Sequence, residues 1–385
     1  MALNRRFQFG LSVVLVAVLA ACGGGDDTPV VAKVPVTSLR VMGDSLADVG
    51  TFGLKFTIQG NDTYPERISA GYGLGKGCNF FTFTGTTFAA NTATTGCTNY
   101  AIGGGVINPT ASGYTAADPR GLAAQFAAAT AAGNFGAGDL LLVDGGGNDA
   151  AALVGAYLKA AADGGAAYLG VLGTQLTADQ VSAAAAGGAA GLAGAGATYM
   201  AALADNFHTL VKTGALDKGA TRVVLLNMPG ITNTPRFQTV LDSIAAASGG
   251  GTAGATARAQ SEALFKSWVE AFNARLATKF AGNTQVVVVD FYTVFNNQIA
   301  NPASYGFTNV KTPACPVTGV GTDGLPSYTF ATCTDAALAA APPAGTTATD
   351  WYKTYAFSDS FHPTPLGHQL LATEITKALT TAGWL

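Results

Sequence analysis

Four short runs of apolar residues are the strongest pattern along the chain. They read LRVM (39–42), DLLLVD (139–144), RVVLLN (222–227) and QVVVVD (285–290). Uninterrupted apolar runs of this length, rich in Val and Leu, are typical of strands buried on both faces of a parallel sheet. We therefore expect four such strands, with the folded part of the chain beginning near Ser38.

Stretches with a helical spacing of apolar residues separate these runs. In SEALFKSWVEAFNARLATKF, Leu264, Trp268, Phe272 and Leu276 recur every four residues and share one face of a helix. Strands that alternate with helices indicate an α/β sandwich. We expect residues 38–385 to form one such domain.

Residues 151–200 stand apart because Ala and Gly dominate them and few large side chains occur there. We interpret this segment as helices and loops of small residues, inserted in the domain as a mobile covering.

The C-terminal stretch YAFSDSFHPTPLGHQLLATEITKAL places two prolines after a histidine. Because a residue that precedes proline avoids helical backbone, Pro363 favours a loop at His362. We expect a helix to follow, with Thr364 as N-cap and Pro365 in its first turn. Its buried stripe would consist of Leu371, Ile375 and Leu379.

The N-terminal residues carry a different kind of signal. Two arginines precede an apolar run over 7–21, which is typical of an export signal. A membrane anchor is the competing interpretation, but the run is shorter than the roughly 20 apolar residues that a spanning helix needs. The end LAAC resembles the lipobox of bacterial lipoproteins, which implies that 1–21 is a signal peptide, Cys22 receives lipid and 22–37 forms a tether.

Composition narrows the class of protein. The 385 residues are 49% hydrophobic and only 11% charged, so the chain can bury a large core. The net charge of -3 supplies no basic surface for a nucleic acid, which we exclude as a partner.

Apart from Cys22, the cysteines fall in two local pairs, Cys78 with Cys97 and Cys315 with Cys333. An even number of cysteines outside the cytoplasm predicts disulfides. Three connectivities are open, and the local pairing is favoured because each pair brackets one loop rich in Gly, Thr and Pro. A zinc site is the weaker alternative, since the chain has no C-x-x-C spacing and only three histidines.

Polar clusters follow the predicted strands. GDSL comes directly after the first apolar run, GGGND after the second, and TNYAIGGG after a short β-prone piece. Ligands bind beyond the carboxyl ends of the strands in open α/β sheets, so these loops are expected to converge. The GDSL letters alone favour Ser45 as a turn residue, because a nucleophilic serine also requires a base and an orienting acid.

Four stretches together resemble the GDSL-type members of the SGNH hydrolase superfamily. They are GDSLADVG (43–50), NYAIGGG (99–105), GGGND (145–149) and DSFHPT (359–364). The resemblance implies a flavodoxin-like α/β/α sandwich with a mostly parallel sheet. It also implies the activity of a serine esterase or lipase, without a metal or an organic cofactor.

The resemblance also assigns residues by motif position. It implies that Ser45 is the nucleophile, His362 the base and Asp359 the group that orients the base. The oxyanion hole would consist of the backbone N–H of Ser45 together with Gly104 and Asn148.

Further stretches resemble a subgroup of bacterial phospholipases, lecithinases and haemolysins. They are LLNMPGITNTPRF, FNARL, NPASYGF and HPTPLGH. Such proteins often have tryptophan before the catalytic aspartate, whereas Ser358 stands there in this chain. An ordinary α/β-hydrolase is the weaker alternative, because its G-x-S-x-G motif would need glycine where Ala47 stands.

Other candidate residues favour structural roles. We interpret GYGLGKG (71–77) as a flexible loop, His208 as an exposed or half-buried helix residue, and His368 as a helix-surface residue. Asp48 is expected to bond to backbone behind the nucleophile loop, and Asp290 to end a strand.

The expected function is that of an exported carboxylic-ester hydrolase, anchored by lipid at the outer membrane or surface of a Gram-negative bacterium. The alternatives are an acyltransferase with the same three residues and a non-catalytic lipoprotein that binds its ligand. Phospholipids, short esters and polymer esters all remain open as substrates.

Overall fold

The computed structural model describes residues 34–385, of which 35–385 form one compact unit. The export signal, the lipidation at Cys22 and nearly all of the tether lie outside the described residues. The strands, in chain order, are β1 (Ser38–Met42), β2 (Phe81–Phe83), β3 (Phe88–Ala90), β4 (Asp139–Val143), β5 (Val223–Leu226), β6 (Val286–Val289), β7 (Val317–Val320) and β8 (Pro326–Tyr328).

The four apolar runs form β1, β4, β5 and β6, which pair in that order as a parallel sheet. The prediction of four parallel strands is thus confirmed. The remaining strands make two antiparallel pairs, β2 with β3 and β7 with β8.

Helices cover both faces of the sheet. They are α1 (Tyr64–Gly71), α2 (Leu122–Thr130), α3 (Gly147–Asp163), α4 (Ala166–Leu172), α5 (Ala178–Ala186), α6 (Gly188–Gly214), α7 (Pro235–Ala247), α8 (Gly251–Lys279), α9 (Phe291–Ala300), α10 (Asp335–Ala340) and α11 (Pro365–Thr381). Within residues 34–385, no helix combines the length and the apolar character needed to cross a bilayer.

Successive strand residues point to opposite faces and so enter two different cores. Leu141 and Val223 pack in the core that includes α2, α3, α6 and α8, whereas Leu142 and Val224 pack in the core that includes α1 and α11. This arrangement confirms the predicted three-layer α/β/α sandwich.

The chain order reverses at β1. On one side β1 pairs with β4, and on the other side Val41 forms a parallel bridge with Asn99. The resulting order, 2-1-3-4-5 with the bridge counted as the second strand, is the flavodoxin-like one, and its switch point lies beside β1. Ligands are expected there, and Ser45 follows β1 directly.

Residues 151–200 are helical, as expected, but they are not a covering outside the core. Tyr168 and Tyr199 are fully buried in the larger of the two cores. Gly196 on α6 lies against the Trp268 ring of α8 so closely that a Cβ would not fit, and the Trp268 indole donates to the Ala193 carbonyl at 3.0 Å. The small residues therefore let helices approach each other around a few aromatic side chains.

The C-terminal helix confirms the boundary read from the sequence. It begins at Pro365, and the Thr364 hydroxyl accepts a hydrogen bond from the N–H of Gly367 at 3.3 Å. The predicted stripe of Leu371, Ile375 and Leu379 is buried.

Candidate active site

Ser45 lies in a tight turn directly after β1. The N–H groups of Ala47 and Asp48 both donate to the carbonyl of Asp44 at 3.1 Å, which closes the turn around the serine. The side chain of Gln125 makes two hydrogen bonds to the backbone of Gly43, at 2.7 and 2.9 Å. Ser45 is therefore presented by a backbone that is held on both sides.

Asp144, which follows β4, also holds this turn in place by a hydrogen bond. One of its carboxylate oxygens accepts the N–H of Asp44 at 2.9 Å, and the other accepts the hydroxyl of Tyr64 at 2.6 Å. Burial, together with the nearby Asp144 carboxylate, raises the pKa of Asp44. The sequence did not point to Asp144, Tyr64 or Gln125, because each acts from a distant part of the chain.

His362 and Asp359 meet Ser45 from the C-terminal loop. The Nε2 atom of His362 lies 2.7 Å from Ser45 Oγ, and its Nδ1 lies 2.8 Å from an Asp359 carboxylate oxygen. The other Asp359 oxygen accepts the N–H groups of Phe361 and His362, at 2.8 and 2.6 Å. Burial raises the pKa of Asp359, but the imidazole and these N–H groups outweigh it and leave the pKa below its ordinary value.

The glycine-rich turn of residues 103–105 lies against the loop that carries Ser45, residues 43–48. Gly104 has φ +81°, a backbone conformation that favours glycine, and Gly105 lies too close to the Gly43 carbonyl to carry a side chain. Asn148, in the first turn of α3, donates its amide to the Gly105 carbonyl at 2.9 Å. Asn148 and the Gly105 turn are therefore joined directly.

Ser45, Gly104, Asn148, Asp359 and His362 all line one open cleft of about 420 Å³. Within residues 34–385, the backbone N–H groups of Ser45 and Gly104 donate no hydrogen bond, and one N–H of the Asn148 amide is also unused. The cleft thus contains three N–H donors without partners beside a serine that contacts a histidine.

Two further carboxylates hold the glycine-rich turn. Asp48 accepts the N–H of Gly103 at 2.8 Å, which agrees with the backbone role expected of it. Asp149 accepts the N–H groups of Ile107 and Asn108 at 3.0 and 2.9 Å, and burial raises its pKa to about 6. Asp149 adjoins Asn148 in the GGGND stretch, so this motif could have pointed to Asp149 as a residue of the site.

Three aromatic rings surround His362. The ring centroids of Phe56, Phe330 and Phe361 lie 5.2, 5.6 and 5.8 Å from that of the imidazole. Phe56 lies in a loop and Phe330 begins a short 3-10 helix far away in the chain, and no sequence pattern marked either.

Both disulfides are present in the local pairing, Cys78 with Cys97 and Cys315 with Cys333. The second pair is tied to the acid–base loop, because the Cys315 N–H donates to the Ser358 carbonyl at 2.8 Å.

The first pair lies beside the nucleophile side. The Cys78 carbonyl accepts the N–H of Asn99 at 3.2 Å, and the Asn99 amide donates to the Ala47 carbonyl at 2.8 Å.

His368 corrects our expectation of a helix-surface residue. Its side chain is fully buried, and Nδ1 accepts the N–H of Tyr64 at 3.2 Å. Burial lowers the pKa of His368 to about 3. The reason is geometric, because His368 precedes the buried Leu371 and Ile375 at helical spacing and so shares their face.

The remaining candidates have structural surroundings. His208 is half-buried on α6 with its ring 4.9 Å from that of Phe280, and Asp290 caps α9 by accepting the N–H of Thr293. Lys76 of the 71–77 stretch pairs with Asp62 at the surface.

Ser358, which stands where the related subgroup often has tryptophan, is buried. Its hydroxyl donates to the Pro363 carbonyl at 2.9 Å, and its N–H donates to the His362 carbonyl at 2.8 Å. Ser358 thus closes the loop that carries Asp359 and His362. Among residues 34–385, no group of three or more His, Cys, Asp or Glu side chains is placed to hold a metal ion.

Comparison with known proteins agrees with this geometry. Residues 39–375 match the family model described as GDSL-like lipase/acylhydrolase, whereas no curated protein matches the chain. The matched region includes all the residues of the cleft. The chain therefore belongs to the GDSL-like lipase/acylhydrolase family, and its class of activity is hydrolysis of the esterase or lipase type.

Proposed function

We propose that the protein hydrolyses carboxylic esters through an acyl-enzyme formed on Ser45. The observation that carries this proposal is a continuous hydrogen-bonded chain. Ser45 Oγ lies 2.7 Å from His362 Nε2, and His362 Nδ1 lies 2.8 Å from Asp359. A serine becomes a nucleophile when an adjacent base takes its proton and a third group orients that base.

In the first half of the reaction, Ser45 Oγ attacks the carbonyl carbon of the ester while His362 Nε2 takes the hydroxyl proton. Asp359 holds Nδ1–H and stabilises the imidazolium that forms. The tetrahedral intermediate then collapses, the bond to the alcohol oxygen breaks, and His362 gives its proton to the departing alcohol.

In the second half, water takes the place of the alcohol. His362 removes a proton from this water, the hydroxyl attacks the acyl carbon, and the bond to Ser45 Oγ breaks. The proton held by His362 returns to Ser45, and the carboxylic acid leaves. Both halves use the same three side chains.

The unused donors of the cleft fit the negative charge that develops in both steps. The N–H groups of Ser45 and Gly104 and the side-chain amide of Asn148 would bind the oxyanion. Because the carboxylates of Asp48 and Asp149 already hold the backbone around Gly104, these donors need little rearrangement when the charge appears.

We also propose that the protein is exported and anchored to a membrane by lipid on Cys22. The apolar run over 7–21 and the LAAC stretch support this. Globomycin, which inhibits the lipoprotein peptidase, should make an expressing bacterium accumulate the uncleaved precursor. Unchanged processing, or membrane association that survives Cys22→Ser, would favour an uncleaved anchor instead.

A fluorophosphonate probe with the full chain tests the catalytic proposal. We expect one adduct, on Ser45, as fluoride leaves phosphorus, and a burst of p-nitrophenol from p-nitrophenyl esters. Ser45→Ala and His362→Ala should abolish turnover, whereas the matched control His208→Ala should keep it.

Two other outcomes are informative. A burst without continued turnover, relieved by an added alcohol, would indicate acyl transfer. Neither an adduct nor a burst would indicate a binding protein. The substrate panel should include phospholipids, because of the resemblance to bacterial phospholipases.

A further inference from the structure

A second space also reaches Ser45. It is more enclosed than the cleft, and its walls come from the loops that follow each strand of the parallel sheet: Leu46 after β1, Gly145 after β4, Ile231 after β5 and Phe295 on α9 after β6. The cavity therefore lies along the carboxyl edge of the sheet.

The cavity is apolar and narrow. Its aromatic walls are Phe291, Phe295, Phe307, Phe357 and Phe361, and the loop that carries His362 forms its roof. It leaves about 80 Å³ for the centres of water-sized groups. Since one such group needs about 10–15 Å³, there is room for about five to eight of them.

The order of the reaction decides which part of an ester belongs in this space, and this step rests on the ester hydrolysis proposed above. The alcohol must leave before water can enter, while the acyl group stays bound to Ser45. The alcohol leaves and water enters more readily through the more open and more polar cleft. The acyl chain therefore suits the apolar, more enclosed cavity, and the alcohol and water suit the cleft.

Helix α9 lines the end of the cavity next to β6. Phe291, Phe295, Gln298 and Ile299 recur at helical spacing, and all four line the cavity. Gln298 is only 5% exposed, and within the part of the chain that the structure describes its side-chain amide has no hydrogen-bond partner. An apolar chain that reached this amide would exclude water from it without replacing the lost hydrogen bonds.

We propose that this cavity is the acyl-chain pocket of the enzyme and that Gln298 and Ile299 set its length limit. The favoured substrates are then esters of medium-length acids. The carbonyl carbon lies at Ser45 and about five to eight further carbons fill the cavity, so the acyl chain has about six to nine carbons.

The test measures kcat/KM for p-nitrophenyl acetate, octanoate and palmitate with the full chain. We expect octanoate to exceed both others, with palmitate at least tenfold below octanoate. A flat profile, or a maximum at palmitate, would overturn the length limit.

Two variants at the α9 end should act in opposite directions. Ile299→Trp fills the cavity and should lower the octanoate-to-acetate ratio of kcat/KM at least tenfold. Gln298→Leu removes the polar end and should raise the palmitate-to-octanoate ratio. Because each readout is a ratio within one variant, a partly unfolded preparation does not imitate either result.

Val240→Trp is the matched control, since Val240 lines an open groove beside α7 and not the cavity. Its octanoate-to-acetate ratio should equal that of the unchanged protein. If Val240→Trp lowers this ratio and Ile299→Trp does not, the acyl chain lies in the open groove and the proposal is wrong. Failure of the proposed ester hydrolysis itself would look different, because the unchanged protein would hydrolyse none of the three esters.

Discussion

The two sides of the cleft are held in place by different means. On the nucleophile side, residues 43–48, 103–108 and 145–149 are fixed by backbone N–H groups that donate to Asp48, Asp144 and Asp149. On the acid–base side, Asp359 likewise accepts the N–H groups of Phe361 and His362, but residues 357–363 are also held by the Cys315–Cys333 disulfide and by aromatic rings around His362. Two of the nucleophile loops, 43–48 and 145–149, follow strands of the sheet directly, whereas the acid–base loop follows none of them and is held by Cys315 and by the Arg236 N–H, which donates to the Ser360 carbonyl at 2.8 Å.

The pKa values of the carboxylates on the two sides are also shifted in opposite directions. Burial raises the pKa of Asp48 and Asp149, which bind only neutral N–H groups. Burial also raises the pKa of Asp359, but the imidazole of His362 and two backbone N–H groups together outweigh burial and lower the pKa. A carboxylate on the nucleophile side therefore acts as a backbone acceptor, whereas Asp359 acts in addition on the charge of a partner.

The largest expected effect separates these two roles. Asp359→Asn should lower kcat by about 10⁴, because an amide favours the wrong imidazole tautomer, while thermal unfolding changes little. Asp149→Asn should lower the free energy of unfolding by about 1–3 kcal/mol, because an amide cannot accept both N–H groups, and should reduce kcat far less. Steady-state kinetics and calorimetry of both variants check this, and equal losses of kcat would contradict the distinction.

A smaller loss is expected from the donor on the nucleophile side. Asn148→Ala should lower kcat by about 10²–10³ with little change in KM, because the amide stabilises charge that exists only in the transition state. The comparison of kcat with KM on one ester provides the measurement. A change in KM alone would mean that Asn148 binds the substrate instead.

The disulfides provide a matched pair for the third prediction. They span 19 and 18 residues, so the chain-entropy model gives each about 3 kcal/mol of stability. Replacement of Cys315 and Cys333 by serine should also lower kcat/KM by about tenfold, because it loosens the loop of His362. Replacement of Cys78 and Cys97 should cost similar stability and less activity. Equal kinetic losses in the two double variants would show that the scaffold is not specific to one side.

The smallest effect concerns acid. His368 has a pKa of about 6.5 when unfolded and about 3 when folded, so its contribution to stability is complete above pH 6.5 and decreases as the pH falls toward 3. Asp149 has a raised pKa, so acidification through pH 6 favours the folded state instead.

His368→Asn keeps an acceptor for the Tyr64 N–H and cannot take up this proton. The difference in unfolding free energy between the protein and this variant should therefore shrink by up to about 1.4 kcal/mol per pH unit below pH 6.5. Urea unfolding at pH 7, 5.5 and 4.5 measures this difference. Parallel pH profiles would mean that another group dominates.

Local sequence patterns predicted the strands of the sheet and the start of the C-terminal helix. Each apolar run became a strand within one residue of its expected bounds, and Thr364 and Pro365 marked the start of α11. Both follow from rules that act over a few residues, namely burial on two faces and satisfaction of the first N–H groups of a helix.

The parts of the site that the sequence did not predict depend on contacts between distant segments. Tyr64 contacts Asp144 across 80 residues, and Phe330 contacts His362 from a short 3-10 helix that no sequence pattern marked. Residues 151–200 were misread for the same reason, because their small side chains enter the core by packing against other helices, including Trp268 of α8. No spacing within one segment encodes such pairs.

The contact of Trp268 with Gly196 gives the molecule an internal optical reporter. The indole is nearly fully buried, bonded to a carbonyl of the neighbouring helix and distant in sequence from every residue of the cleft. In a variant with Trp351 and Trp384 replaced by phenylalanine, its fluorescence should therefore follow the separation of α6 from α8 and respond little to chemistry at Ser45. A loss of activity at unchanged Trp268 emission would locate damage at the active-site loops, and a shift of that emission to longer wavelength would locate it in the helical layer.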